Sequence, residues 1–141
     1  MKVIVAGTGF VGLTHAAVIS EYGHQVYAYD IDKGKIAAYQ SGDREAIERY
    51  VSEPGLTAII EENKDRYLFF TDDITPVIEG TDAIFLCLPT PPNPNGSSDL
   101  SYYFAAIHHI AELLASRQDQ RRVVLVNKST VPVGTARQLE R

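Results

Sequence analysis

Residues 3–12 read Val-Ile-Val-Ala-Gly-Thr-Gly-Phe-Val-Gly, and this stretch decides the fold. Its first four residues are apolar and predict a short buried strand, while residues 13–22 predict a helix. The turn between them carries the pattern G-x-G-x-x-G, whose members are Gly7, Gly9 and Gly12. A strand, a glycine turn and a helix in this order are the context that a dinucleotide-binding motif requires.

Each glycine of the motif has a separate physical role. Gly7 permits the tight turn that leaves the strand, and Gly9 has no Cβ, so the backbone can approach a pyrophosphate. Gly12 lets the helix pack closely on the strand. The start of the helix then offers free N–H groups and a positive dipole end to the phosphates.

A second strand is predicted at residues 25–30, and it ends in Asp30, 18 positions after Gly12. An acid at about this distance accepts hydrogen bonds from the adenosine ribose of a bound dinucleotide. A carboxylate accepts from a 2′-hydroxyl and repels a 2′-phosphate, so the sequence favours NAD over NADP.

Length, composition and charge limit the possible functions. The chain has 141 residues, of which 45% are hydrophobic and 22% charged, as in a soluble globular domain. A net charge of −5 argues against nucleic acid as a partner, and no apolar run approaches the ~20 residues of a membrane helix. Cys87 is the one cysteine, which excludes an internal disulfide and favours a reducing, cytoplasmic location.

Strand and helix patterns alternate along the whole chain. This alternation predicts an α/β fold of the Rossmann type, a doubly wound, mostly parallel sheet with helices on both faces, truncated after its fifth strand. The predicted strands are 2–6, 25–30, 67–71, 82–88 and 123–127. The predicted helices are 11–22, 32–40, two short ones within 43–63, 72–79, one capped by Asp99, and one opened by Pro132. Phe104, Ile107, Ile110, Ala111 and Leu114 are expected to form the buried stripe of the helix after Asp99.

Ligands of such sheets bind beyond the carboxyl ends of the strands. Besides the glycine turn and Asp30, the residues expected there include Thr90, after the fourth strand, and Ser129 and Thr130, after the fifth. Their hydroxyl groups are candidates for contact with a cofactor or a substrate.

Five segments in order along the chain resemble the N-terminal NAD-binding domain of the UDP-glucose/GDP-mannose dehydrogenases. They are Gly7–Gly12, Asp30–Asp32 with Lys35, Glu53–Leu56, Thr90-Pro91 with Asp99–Ser101, and Lys128–Thr135. The last segment is the most specific, because the glycine motif is shared with many oxidoreductases.

The resemblance implies that the full-length protein oxidises the C6 alcohol of a nucleotide sugar to the acid with two NAD, UDP-glucose being the first candidate. It also implies that Thr130 helps to hold a water near the reaction centre, which makes Thr130 the candidate catalytic residue. Motif and resemblance together predict that NAD lies against Gly7, Gly9, Phe10, Val11, Gly12, Asp30, Lys35, Leu88, Thr90, Ser129 and Thr130.

The resemblance also implies that the family's other catalytic residues lie outside this chain. The family's catalytic cysteine, lysine and asparagine correspond to positions beyond residue 141. Residues 1–141 are therefore expected to be one NAD-binding domain, a fragment without the nucleotide-sugar domains and inactive alone, from a protein that forms homo-oligomers. Residues 43–52 are more charged and more helical than the family's stretch there, and their role stays open.

Several residues allow two interpretations. Cys87 is either a nucleophile or, as its apolar strand favours, an inert core thiol. His108 and Glu112 have the i, i+4 spacing of metal ligands, but two ligands make a poor site, and no metal is expected. By its chemistry alone, Lys35 is equally an exposed lysine or a contact for the ribose, and the resemblance favours contact. Glu53–Leu56 is either a feature of the substrate side or the start of a helix.

The rival to a dehydrogenase domain is a free-standing NAD-binding module that acts as a sensor or regulatory subunit and performs no chemistry.

Overall fold

A computed structural model describes residues 1–119 and 121–139. Five strands are found in this part of the chain: β1 (Lys2–Ala6), β2 (Gln25–Tyr29), β3 (Leu68–Thr71), β4 (Ala83–Leu86) and β5 (Val124–Asn127). The helices are α1 (Phe10–Glu21), α2 (Lys33–Ser41), α3 (Arg44–Glu48), α4 (Leu56–Asn63), α5 (Ser101–Ala115) and α6 (Thr135–Leu139), with a 3₁₀ turn at Thr75–Val77.

The five strands form one sheet in the order β3-β2-β1-β4-β5, and every neighbouring pair is parallel. The chain moves outward from β1 to β3 and then crosses back to place β4 on the other side of β1. The strand order therefore reverses between β1 and β4, which is where ligands bind in open α/β sheets. The predicted doubly wound α/β fold is confirmed.

The two faces of the sheet carry separate cores because successive side chains of a strand point to opposite faces. In β1, Val3 and Val5 belong to the core under α1, α2 and α4, whereas Ile4 and Ala6 belong to the core under α5. All four are at most 2% exposed, so β1 is buried on both faces, as expected for a central parallel strand.

The helix that follows β2 begins and ends as its sequence predicts. The Asp32 carboxylate accepts hydrogen bonds from the N–H groups of Gly34 and Lys35 and caps α2. Gly42, at φ +70°, ends the helix in the left-handed conformation. The two short helices expected within residues 43–63 are α3 and α4.

The prediction of a helix at residues 72–79 is wrong, since only the 3₁₀ turn forms there. Asp73 does accept a hydrogen bond from the Thr75 N–H, as a helix cap would. Pro76 lies in the first turn, where a missing N–H costs no helical hydrogen bond, so the proline does not explain why the turn stays short.

Four of the five residues predicted for the buried stripe of α5 do pack in the core on that face of the sheet: Phe104, Ile107, Ile110 and Leu114. Tyr103 is fully buried, while Ala111 is exposed. Ile107, Ile110 and Leu114 lie four, seven and eleven positions after Tyr103, which is the spacing of one helix face. Within the described residues, the Tyr103 hydroxyl is a buried polar group without a hydrogen-bond partner.

Two predicted helix starts are displaced. The N-cap residue of α5 is Leu100, although the Asp99 carboxylate does accept a hydrogen bond from the Ser101 N–H. Pro132 does not open the last helix, since α6 begins at Thr135, whose hydroxyl donates to the Pro132 carbonyl. No helix in the described part of the chain has the length and apolar character needed to cross a membrane.

Candidate functional site

A cleft of about 540 Å³ lies at the carboxyl ends of β1, β2 and β4, at the switch in strand order. Its floor is the turn from β1 into α1, one wall is the end of β2 with the start of α2, and the other is the end of β4 with α5. Seven of the predicted cofactor residues line it: Gly7, Gly9, Phe10, Val11, Asp30, Lys35 and Leu88.

The glycines of the turn meet different surroundings. Gly7 has φ +93°, and a Cβ there would lie 2.3 Å from the Cys87 carbonyl oxygen. A Cβ at Gly12 would lie 1.8 Å from the Gly7 carbonyl oxygen, so only glycine fits at this position in the first turn of α1. A Cβ at Gly9 would meet no protein atom within 4 Å. The space beside Gly9 is therefore open, as the approach of a phosphate requires.

The first turn of α1 adds hydrogen-bond donors to this floor. Gly9 is the N-cap residue, and no side chain caps the helix. The first N–H groups of a helix have no partner within the helix, and they attract anions. Phe10 and Val11, the first two residues of α1, are both more than half exposed. This helix start has both the donors and the open space that a pyrophosphate needs.

Asp30 follows β2 and is held by four hydrogen bonds. Its Oδ2 atom accepts from the Thr8 N–H at 2.9 Å, the Thr8 hydroxyl at 2.9 Å and Lys35 Nζ at 3.3 Å. Its Oδ1 atom accepts from the Asp32 N–H at 3.0 Å. Only 11% of the Asp30 side chain is exposed, so these bonds fix a largely buried carboxylate at the cleft.

These contacts keep Asp30 ionised. Burial raises the pKa of Asp30, but the bonds from the Asp32 and Thr8 N–H groups, the Thr8 hydroxyl and the charge of Lys35 outweigh it, so the pKa lies below its ordinary value. A carboxylate with a lowered pKa stabilises the fold above its unfolded-state pKa of about 3.9, and this contribution is lost as the pH falls through the lower folded-state value.

The three predicted hydroxyl residues do not line the cleft. The Ser129 hydroxyl accepts from the Leu88 N–H at 2.9 Å and donates to the Leu86 carbonyl at 3.2 Å, and so joins the ends of β4 and β5. The Thr90 hydroxyl donates to the Thr130 carbonyl at 2.9 Å. Thr130 itself is exposed. Their predicted contacts with NAD, and the catalytic role of Thr130, remain predictions.

Cys87 does not lie within a buried strand as predicted. The strand β4 ends at Leu86, and Cys87 is half-buried and lines the cleft. Burial raises the pKa of its thiol, and the nearby charge of Lys128 offsets this in part. A thiol with a raised pKa carries little thiolate at neutral pH, which favours the inert interpretation.

The structure also places the possible metal ligands and the Glu53–Leu56 segment. His108 and Glu112 are exposed on α5, and the described residues contain no group of three or more side chains placed to hold a metal. Pro54 precedes α4 instead of opening it, because the helix begins at Leu56.

The cleft also contains residues that were not predicted to contact the cofactor, although two of them, Thr8 and Pro89, lie in segments expected at this edge of the sheet. These are Thr8, Tyr29, Ile31, Cys87, Pro89, Tyr102, Ala105, Ala106 and His109. Thr8 could have been predicted, because its place inside the glycine motif puts it beside the end of the second strand. The residues of α5 gave no signal, since they reach the cleft only through the crossover that sets β4 beside β1.

Sheet, glycine turn and buried acid together define a Rossmann-type dinucleotide-binding domain. The model of the UDP-glucose/GDP-mannose dehydrogenase family, NAD binding domain, matches residues 1–141. The chain belongs to this family and is its NAD-binding domain, so NAD is the cofactor.

Relatives with known names support this assignment. The chain is 41% identical to the UDP-glucose 6-dehydrogenase TuaD of Bacillus subtilis over 137 residues, 96% of this chain and 28% of the relative. It is 38% identical to the UDP-glucose 6-dehydrogenase of Rhizobium meliloti over 143 residues, 100% of this chain and 30% of the relative.

Solved structures share the fold. A GDP-mannose dehydrogenase from Pseudomonas aeruginosa, in a ternary complex, gives a TM-score of 0.87 at 29% identity, covering 99% of this chain and 30% of that one. A UDP-glucose dehydrogenase from Pyrobaculum islandicum gives 0.84 at 31% identity, covering 99% and 32%. The chain thus spans about a third or less of the proteins it resembles.

Proposed function

We propose that this chain is the NAD-binding part of a longer nucleotide-sugar 6-dehydrogenase, and that UDP-glucose is the sugar nucleotide oxidised. The observation that carries the proposal is the buried, ionised Asp30 beside an open glycine turn, in a domain of a family named for such dehydrogenases. UDP-glucose is preferred because the relatives at 41% and 38% identity are UDP-glucose 6-dehydrogenases.

The residues of the cleft fit the parts of NAD. The open space at Gly9 and the first turn of α1 would take the pyrophosphate, and Asp30 would accept from the adenosine ribose, with Lys35 beside it. Bound NAD would supply the hydride acceptor for oxidation of the alcohol. The protein's own task here is to bind and orient that acceptor.

The further catalytic steps need groups that residues 1–119 and 121–139 do not supply. Two successive oxidations need a nucleophile to hold the aldehyde and a water to release the acid. The Cys87 thiol has a raised pKa, and Thr130 is too weakly basic to remove a proton at neutral pH. We expect Thr130 to orient a water in the longer protein, and we expect that protein to form homo-oligomers.

The test is an assay of NADH production with the chain alone. We expect the chain to bind NADH yet produce none from UDP-glucose, GDP-mannose or UDP-N-acetylmannosamine. Turnover of any of these substrates that is lost in Cys87→Ala would contradict the proposal. A longer protein carrying the domain should produce two NADH for each UDP-glucose.

A further inference from the structure

We propose that Thr8 is a positioning residue that fixes the Asp30 carboxylate for the adenosine ribose and so sets the preference for a 2′-hydroxyl over a 2′-phosphate. The inference rests on the proposed binding of NAD in the cleft. It concerns a residue between the first two glycines of the motif, where the pattern allows any residue.

Thr8 is anchored from three directions. It is fully buried, and both its N–H and its hydroxyl donate to Asp30 Oδ2 at 2.9 Å. Its carbonyl accepts a hydrogen bond from the hydroxyl of Tyr39, also fully buried, at 2.9 Å. Tyr39 belongs to α2, so this contact ties the glycine turn to the helix that begins beside Asp30.

The distribution of donors leaves one carboxylate oxygen available. A carboxylate has about four lone-pair sites, two on each oxygen. Oδ2 already receives three donors, from Thr8 twice and from Lys35, whereas Oδ1 receives one, from Asp32. A ribose hydroxyl therefore donates to Oδ1, and the two bonds from Thr8 hold the group in the rotamer that keeps this oxygen available.

Loss of the Thr8 hydroxyl has two consequences that follow from this geometry. The carboxylate loses a donor that stabilises its charged form, so the pKa of Asp30 rises. It also gains rotational freedom, so the hydrogen bond to the ribose becomes less well oriented. NADH gains from that bond and NADPH does not, so NADH affinity falls more than NADPH affinity.

The experiment compares three threonine variants by calorimetric titration with NADH and with NADPH. Thr8→Val removes the hydroxyl at nearly constant shape, and Thr8→Ser retains it. Thr81→Val is the matched control, since Thr81 is also fully buried and its hydroxyl donates to a backbone carbonyl, that of Val77, but at the amino end of β4, away from the cleft.

We expect Thr8→Val to weaken NADH binding about three- to tenfold, the size of the ordinary net contribution of one hydrogen bond, with a smaller change for NADPH. Thr8→Ser should restore most of the preference, and Thr81→Val should keep it. In the cofactor-free chain, the carboxyl carbon of Asp30 followed by NMR should titrate at a higher pH in Thr8→Val than in the unmodified chain or Thr81→Val.

An unchanged NADH-to-NADPH ratio and an unchanged Asp30 pKa in Thr8→Val would overturn the inference. If Thr8→Val does not fold, Tyr39→Phe removes the anchor of the Thr8 carbonyl and must shift both quantities in the same direction, or the inference fails. If the unmodified chain binds neither cofactor, the proposed function fails instead, and the NMR titration still decides whether Thr8 controls Asp30.

Discussion

At the scale of single residues, two glycines of the motif are needed for different reasons, one for the fold and the other for the ligand. Gly12 is required by the protein, because a Cβ there would overlap the Gly7 carbonyl. Gly9 has φ −74° and open space around its absent Cβ, so nothing in the protein requires glycine at that position. The requirement at Gly9 must come from a group that enters the cleft.

This contrast predicts opposite outcomes for two similar substitutions. Gly12→Ala should lower the free energy of unfolding by about 1–3 kcal/mol, the range for overpacking. Gly9→Ala should leave the melting temperature unchanged but weaken NADH binding about tenfold or more, because its methyl group occupies the space of the pyrophosphate. Thermal unfolding and calorimetry measure both quantities, and full NADH affinity in Gly9→Ala would place the phosphates elsewhere.

At the scale of elements, β5 is the least covered strand. It lies at one edge of the sheet, and Val124 and Leu125 are 60% and 39% exposed. The opposite edge strand, β3, has Leu68 and Phe70 buried instead. An exposed apolar edge strand readily pairs with another chain.

We therefore expect this chain to self-associate through β5 at high concentration. Val124→Lys should reduce the association, because charged side chains protect edge strands. Val18→Lys is the matched control, because Val18 is also an exposed valine but lies on α1, away from the sheet edge. Light scattering measures the mass, and a monomer at all concentrations, or an equal effect of the control, would contradict the assignment to β5.

The elements also show where sequence patterns succeed and where they fail. All five strands were predicted to within two residues of each end, because short apolar runs bounded by turn residues are local signals. The buried stripe of α5 was predicted except at two positions, since Ala111 fits the helical spacing but is exposed, and the buried Tyr103 was not included. Tyr103 packs in the core beside the residues of that stripe, a contact that helical spacing alone does not reveal.

At the scale of the whole molecule, the site is only partly readable from the sequence. Gly7, Gly9 and Asp30 were predicted because they lie in one strand–helix–strand unit. The α5 wall, such as Tyr102 and His109, was not predicted, because it joins the cleft only through the reversal of strand order. Such long-range neighbours depend on the topology and leave no local pattern.

The central claim is that this cleft binds NAD through Asp30, and calorimetric titration with NADH and NADPH tests it most directly. We expect the unmodified chain to bind NADH at least about tenfold more tightly than NADPH, which corresponds to roughly 1.4 kcal/mol. Asp30→Ala should weaken NADH binding and narrow the difference, while Asp72→Ala, an exposed acid outside the cleft, should change neither. Equal affinity of the unmodified chain for the two cofactors, or full preference in Asp30→Ala, would contradict the account.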